Sequence, residues 1–123
     1  MPANERSINI LSSTGTSMNV TGHKVRYDSW YGYTDGFGTI MVTYNGFQGQ
    51  MVFEATLSME PMASDWFTVT QSENYTSEHT DSNSYNIQGN FTYIRARLDR
   101  SATGDGTTYD PTYGQVTRVI LST

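Results

Sequence analysis

Two aspartates in a glycine-rich stretch are the residues whose type and spacing come nearest to a metal site in this sequence. Asp105 and Asp110 lie in the segment "TGDGTTYDP", and carboxylate oxygens are ligands that Ca²⁺ prefers in proteins. The segment lacks the ladder of spaced Asp or Asn residues and the closing Glu of an EF-hand loop. We therefore favour a solvated turn here over a calcium site.

The two histidines and a second acidic group offer no catalytic pattern. His23 and His79 have polar neighbours, and neither lies in a His-x-x-x-His spacing. Each is expected to be a solvated surface side chain. Glu73, Glu78 and Asp81 surround His79 in a polar stretch where charge mainly aids solubility. Paired carboxylates for glycoside hydrolysis need a fixed separation across a cleft, which spacing along a chain does not supply.

Nucleophilic catalysis and cofactor binding have no recognisable motif either. The chain has no cysteine, and no Ser or Thr stands in a nucleophile elbow. The glycines form no phosphate-binding loop ahead of a helix. The sequence therefore predicts a protein that is not an enzyme and that carries no metal or cofactor.

Charge and hydropathy argue against two classes of partner. The formal net charge is −5, with only 7 basic residues, whereas binding to a phosphate backbone needs clustered Lys and Arg. The chain has no apolar run of membrane-spanning length and does not begin with a signal-peptide pattern. We expect a cytoplasmically made protein with neither a nucleic-acid nor a membrane partner.

The elements that would position any site are strands. Short apolar-polar alternations separated by Gly, Pro and Asn recur along the chain, and no segment has convincing helical periodicity. They lie at 7–13, 38–44, 50–58, 65–71, 84–89, 90–99 and 114–123. This predicts an all-β protein, a single antiparallel β-sandwich of about seven to eight strands, jelly-roll or Ig-like, with little or no helix. Residues 1–20 would form an N-terminal arm or edge strand and 21–123 the sandwich domain.

Details of the strands follow from the same patterns. Met51, Phe53, Ala55 and Leu57 share one face and are expected in the core, packed against the apolar face of 90–99. Asn45-Gly46 is typical of a hairpin turn. The polar stretch 72–83 is predicted to be a loop, and Trp66 is placed at the edge of the core rather than in a ligand platform.

Two groups of residues are candidates for contact with a partner. The segment 27–38 is predicted to be an ordered loop, and its Trp30, Tyr31, Tyr33 and Phe37 could stack on sugars, anchor a subunit interface or cap the core. Arg95 and Arg97 lie on the outer face of their strand. They could meet a partner subunit, although ion pairs within the sheet are the preferred interpretation.

The order of these segments resembles a β-sandwich module of tailed-bacteriophage virion proteins. In that pattern a Gly-Thr strand ("GTIMVTYNGFQGQMVFEATLS") precedes a Trp strand ("DWFTVT"), a variable polar loop, a Gly-x-aromatic strand ending Arg-x-Arg ("GNFTYIRARL") and a last strand ("GQVTRVIL"). The resemblance covers residues 38–123, about two-thirds of the chain. The insertion at 100–113 is longer than the usual connection, and the first 37 residues fall outside the match.

The resemblance implies a non-enzymatic virion structural protein. Since the chain is one module long, it implies a small accessory or decoration subunit that docks on the capsid or tail and stabilises the particle. Expected partners are further copies of itself, preferably as a trimer, and major capsid or tail proteins. The protein would be made in the host cytoplasm and end in the virion. The alternative is a receptor- or glycan-binding module of a fibre or baseplate.

Overall fold

A computed structural model describes residues 7–12, 18–27, 37–89 and 91–122, and the all-β prediction is confirmed. Within these ranges eight antiparallel strands and two short 3₁₀ turns are present, with no α-helix. The strands are β1 (Ser7–Ser12), β2 (Asn19–Thr21), β3 (Val25–Arg26), β4 (Phe37–Thr56), β5 (Phe67–Gln71), β6 (Tyr75–Gln88), β7 (Tyr93–Asp99) and β8 (Gln115–Ser122). The 3₁₀ turns are Ala63–Asp65 and Pro111–Tyr113.

Strand β4 joins the two layers of the fold. Its first half, from Thr39 to Asn45, pairs with β8 and β6, and β1 extends this layer beyond β8. Its second half, from Gln50 to Thr56, pairs with β7 and β5, and β2 and β3 pair with the far side of β7. We call these layer A and layer B. All eight strands thus belong to one sheet that bends through β4.

The hairpin predicted at Asn45-Gly46 is wrong, because β4 continues through it. Gly46 has φ +62°, the left-handed conformation that an Asn-Gly turn also uses. Here it belongs to a bulge: the register with β6 shifts between Tyr44 and Phe47 and again before Gly49. A bulge bends a strand and increases its twist, which lets β4 pass from layer A to layer B.

The core lies between the layers and follows the period of two. Its fully buried members include Ile10, Ile40, Val42, Phe47, Met51, Phe53, Ala55, Ile94, Ala96, Leu98, Val116, Val119 and Leu121. The predicted contact between the apolar faces of 50–58 and 90–99 is confirmed, since Phe53 pairs with Ala96 and Met51 with Leu98. Leu57 was expected in this core and is 65% exposed, because β4 ends one residue earlier.

The polar stretch predicted as a loop is most of β6. Apolar and polar residues do not alternate regularly along it. Among the described residues β6 pairs only with β4, so it is an edge strand, and its polar side chains face solvent. His79 is half-buried here rather than solvated: its ring stacks on Tyr75 at 4.1 Å and its Nε2 lies 2.9 Å from Asn83 Oδ1. His23 is exposed, as expected.

A buried arginine fastens the long loop before β8 to the bulge of β4. Arg100 is 0% exposed. Its Nε donates to the Gln48 carbonyl at 2.9 Å, and its Nη2 donates to the carbonyls of Tyr113 at 3.0 Å and Gly114 at 2.7 Å. The guanidinium also lies 5.0 Å from the centre of the Phe47 ring. Burial lowers the pKa of Arg100, and the three carbonyls supply the partners that a buried cation requires.

Candidate interaction surfaces

Most of the aromatic loop proposed as a contact surface lies outside the described residues. Trp30, Tyr31 and Tyr33 lie outside the described residues, and Phe37 is described only as the first residue of β4. Its role in binding stays a prediction.

The two other predicted contact residues are held by ion pairs within layer B. Arg95 Nε lies 2.9 Å from Glu54 Oε1, and Arg97 Nε lies 3.3 Å from Glu54 Oε2. Arg97 Nη1 also reaches Asp99 Oδ2 at 3.1 Å. Hydrogen bonds from Ser101, reinforced by Arg97, lower the pKa of Asp99. This is the cross-sheet pairing preferred from the sequence, and it engages both guanidinium groups within the chain.

Trp66 belongs to this outer face rather than to the core. Its ring is half-buried, and the Arg95 guanidinium lies 4.1 Å from the ring centre, a distance typical of a cation–π contact. Val52, Glu54 and Thr56 point away from the core by alternation, yet none is more than 9% exposed. The arginine and tryptophan side chains stand on the same face, so this part of layer B is closed to solvent.

Four large apolar side chains are exposed on the connection between β4 and β5 and at the start of β5. Leu57, Met59, Met62 and Phe67 are 65%, 60%, 70% and 42% exposed, and we call them the β4–β5 patch. The connection is ordered by a short turn in which Met62 N donates to Asp65 Oδ2 at 2.8 Å. Grouped large apolar side chains in water often mark a contact surface. The sequence signal was the pair of methionines flanking Pro61.

The charges around layer B are unevenly distributed. Glu60 and Asp65 lie within the connection that carries the patch, beside the edge strand β5. At the opposite edge of the layer, the exposed Lys24 and Arg26 approach the ring of Tyr93 at 5.1 and 5.5 Å. Layer B therefore has an apolar and acidic edge on one side and a basic edge on the other.

The loop considered as a calcium site is a set of capped turns. Asp105 Oδ1 accepts from the backbone N–H groups of Thr107 and Thr108 at 2.9 and 2.8 Å. Asp110 Oδ1 accepts from Thr112 N at 2.9 Å, at the start of the second 3₁₀ turn. Among the described residues no three His, Cys, Asp or Glu side chains come together as a metal site would require. Both carboxylates therefore serve as caps of the backbone in this loop.

These turns predict an acid-sensitive contribution to stability. The backbone N–H bonds from Thr107 and Thr108 lower the pKa of Asp105 to about 2 from 3.8. Because the folded pKa lies below the unfolded one, the stabilisation is complete above about pH 4 and is lost as the pH falls towards 2. Asp105→Asn keeps an acceptor but removes the titration, so we expect its urea midpoint to fall less between pH 4 and pH 2. Coincident pH profiles for Asp105→Asn and the control Glu78→Gln would contradict this.

Comparison with known proteins gives weak likenesses in structure. No protein-family model matches the chain, and no curated protein matches it. The K3 cleaved adhesin domain of Lys-gingipain from Porphyromonas gingivalis W83 is similar with a TM-score of 0.49 and 12% identity, over 97% of this chain and 74% of that one. The infectious bursal disease virus Gt strain structure is similar with a TM-score of 0.34 and 10% identity, over 98% of this chain and 35% of that one. Likenesses this distant carry no conclusion about function.

No helix among the described residues is long and apolar enough to cross a membrane.

Proposed function

We propose that the chain is a non-enzymatic virion structural protein of a tailed bacteriophage, a small accessory or decoration subunit that docks on the capsid or tail and stabilises the particle. The order of sequence segments supports the setting. The β4–β5 patch supports a role in docking, because four large exposed apolar side chains on an ordered turn are suited to a contact with another protein.

The occupant proposed for the patch is a neighbouring copy of the same chain. The acidic residues Glu60 and Asp65 beside the patch complement the exposed Lys24, which lies at the other edge of layer B. Contacts between different edges of identical subunits are heterologous, and they form a ring when the rotation closes. A cyclic trimer built this way is the assembly we propose, and its outer surfaces would dock on a major capsid or tail protein.

The alternative of a receptor- or glycan-binding module based on the aromatic loop and Trp66 has less support. One face of the Trp66 ring already carries the Arg95 guanidinium at 4.1 Å, so that face is not open for stacking on a sugar. The other members of that set, Trp30, Tyr31 and Tyr33, lie outside the described residues.

The assembly is tested by light scattering coupled to size-exclusion chromatography. We expect a trimer for the wild type and a monomer for the double variant Leu57→Ser/Met62→Ser, because each substitution puts a hydroxyl in a desolvated contact. Met41→Ser, the same substitution on the outer face of layer A, should leave the trimer intact. Lys24→Glu and Glu60→Lys should each weaken the trimer, and the two together should restore it. A monomeric wild type would refute the assembly.

The virion setting needs a separate measurement. Mass spectrometry of gradient-purified particles, with immunogold electron microscopy, should find the protein in many copies on the head or tail. Its absence from particles would refute the virion role even if the trimer forms.

A further inference from the structure

A shallow cleft of 410 Å³ lies where the bulge of β4 meets the loop that precedes β8. It is lined by Asn45, Gly46, Glu78, Tyr109, Pro111, Gly114 and Gln115. The cleft and the β4–β5 patch flank the second half of β4, one before it and one after it, and they share no residue. Whatever binds here is therefore separate from the proposed subunit contact.

One wall of the cleft is an aromatic ring in a fixed position. The Tyr109 hydroxyl donates to the Gly114 carbonyl at 3.2 Å, and its ring meets the Tyr113 ring edge-on at 6.1 Å. The buried Arg100 guanidinium lies 5.4 Å from the centre of the Tyr109 ring. The ring is thus held at its hydroxyl, at its edge and from the protein interior, and a ligand that stacks on it does not have to order it first.

Three polar side chains around the same cleft are not used by the fold. The Glu78 carboxylate and the side-chain amides of Asn45 and Gln115 make no hydrogen bond with any residue in the described part of the chain. Together they offer carboxylate and amide oxygens as acceptors and two NH₂ groups as donors. Asn45 and Glu78 are exposed, so a ligand that enters the cleft from solvent can reach these groups.

We propose that this cleft binds a neutral saccharide. A sugar ring presents C–H groups on one face, which pack on an aromatic ring, and hydroxyl groups around its rim, which both donate and accept hydrogen bonds. The three polar side chains can form hydrogen bonds with the hydroxyl groups around the sugar. Tyr109 and Pro111 can pack against its C–H face.

The charges of the site select against ionic ligands. A cationic group on Tyr109 would be attracted by Glu78 but repelled by the Arg100 guanidinium, which lies 5.4 Å from the centre of the same ring, and the two effects oppose each other. An anionic group would be repelled by Glu78 and would gain no exposed cation among the lining residues. A neutral polar ligand meets neither penalty.

The test uses the full chain labelled with ¹⁵N and titrated with the methyl glycosides of glucose, galactose, mannose and N-acetylglucosamine. One of them should shift the amide resonances of Gly46, Gly114 and Gln115 with a dissociation constant in the millimolar range, as expected for a ligand of this size in an open cleft. No shift with any of the four at about 100 mM, roughly a hundredfold above a millimolar dissociation constant, would overturn the proposal. The proposal would also be overturned if the same amides shifted with Nα-acetyl-lysine N-methylamide and not with a saccharide, because the cleft would then bind a basic peptide.

Matched variants separate binding from folding. Gln115→Ala and Glu78→Ala should each weaken saccharide binding by about five- to tenfold, the usual effect of losing one hydrogen bond. Gln88→Ala and Glu73→Ala, exposed positions outside the cleft, should bind as the wild type does. Equal binding by all four variants would overturn the site even if a saccharide binds elsewhere. Every outcome is independent of the trimer, because Leu57→Ser/Met62→Ser should bind the saccharide normally.

Discussion

Replacing Arg100 by methionine is expected to lower the free energy of unfolding by about 3 to 5 kcal/mol. The side chain is fully buried and donates to the carbonyls of Gln48, Tyr113 and Gly114. Methionine fills a similar volume but cannot donate, so the carbonyls of Gln48 and Tyr113 lose their hydrogen bond from Arg100 and the Gly114 carbonyl keeps only the one from Tyr109. Each unsatisfied buried group costs about 1 to 3 kcal/mol. Against a total stability of about 5 to 15 kcal/mol for a domain, this is a large loss.

An opposing effect must be weighed. Burying a guanidinium is costly, and replacing a buried ion pair by apolar side chains is often neutral or stabilising. That result requires both partners to become apolar, whereas here the acceptors are main-chain carbonyls that no substitution at Arg100 removes. The loss of hydrogen bonds should therefore outweigh the gain from desolvation.

Urea unfolding followed by tryptophan fluorescence measures the effect. Arg118→Met makes the same change at an exposed position on β8 and should alter the free energy of unfolding by less than about 0.5 kcal/mol. Arg100→Lys, which keeps a cation but not the forked geometry, should fall between the two. If Arg100→Met were as stable as Arg118→Met, the anchoring role of Arg100 would be wrong.

Arg100 also shows what the sequence could and could not disclose. Ile94, Ala96 and Leu98 occupy inward positions of β7, and Arg100 is the next residue with the same parity. Parity alone could therefore have separated it from Arg95 and Arg97, which point outward. Its partners could not be foreseen, since main-chain carbonyls from the bulge and from the end of the loop that follows Arg100 have no signature in residue type.

The strands were predictable where one face is buried and the other is not. The second half of β4 and all of β7 alternate cleanly, so their faces and mutual packing follow from a period of two. The inward face of β6 carries Tyr75, Tyr85 and Ile87, but polar residues stand between them, so the alternation is weak. An edge strand needs no strict alternation to remain paired. The prediction that Leu57 lies in the core was wrong because periodicity does not indicate where a strand ends.

The candidate surfaces were less predictable than the fold. The apolar β4–β5 patch depends on how far the chain after Thr56 leaves the sheet, which hydropathy does not encode. The cleft depends on contacts between segments distant in sequence, Asn45, Glu78 and Tyr109 among them. Residue types indicate chemistry only after the topology has placed them together.

The second large loss of stability is expected for Gly114→Ala, in the turn before β8 that contacts the bulge of β4. Gly114 has φ +62° and ψ −156°, a conformation essentially restricted to glycine. A methyl group there would also overlap the carbonyl oxygen of Gly46. Backbone strain of about 1 to 3 kcal/mol and a steric displacement of similar size should together lower the free energy of unfolding by about 3 to 5 kcal/mol.

Gly46→Ala is the matched control, because Gly46 has the same φ of +62° but open space around the added methyl. It should cost only the left-handed conformation, about 1 to 2 kcal/mol. The difference between the two variants in urea unfolding therefore measures how tightly the turn at Gly114 is pressed against the bulge. The Gly114 carbonyl also accepts from Arg100 and Tyr109, so displacing it should disturb both contacts. The double variant Gly114→Ala/Arg100→Met should therefore lose less stability than the sum of the two single variants. Equal costs for the two glycine variants, or strict additivity with Arg100→Met, would show that the bulge, the buried arginine and the loop do not form one cooperative unit.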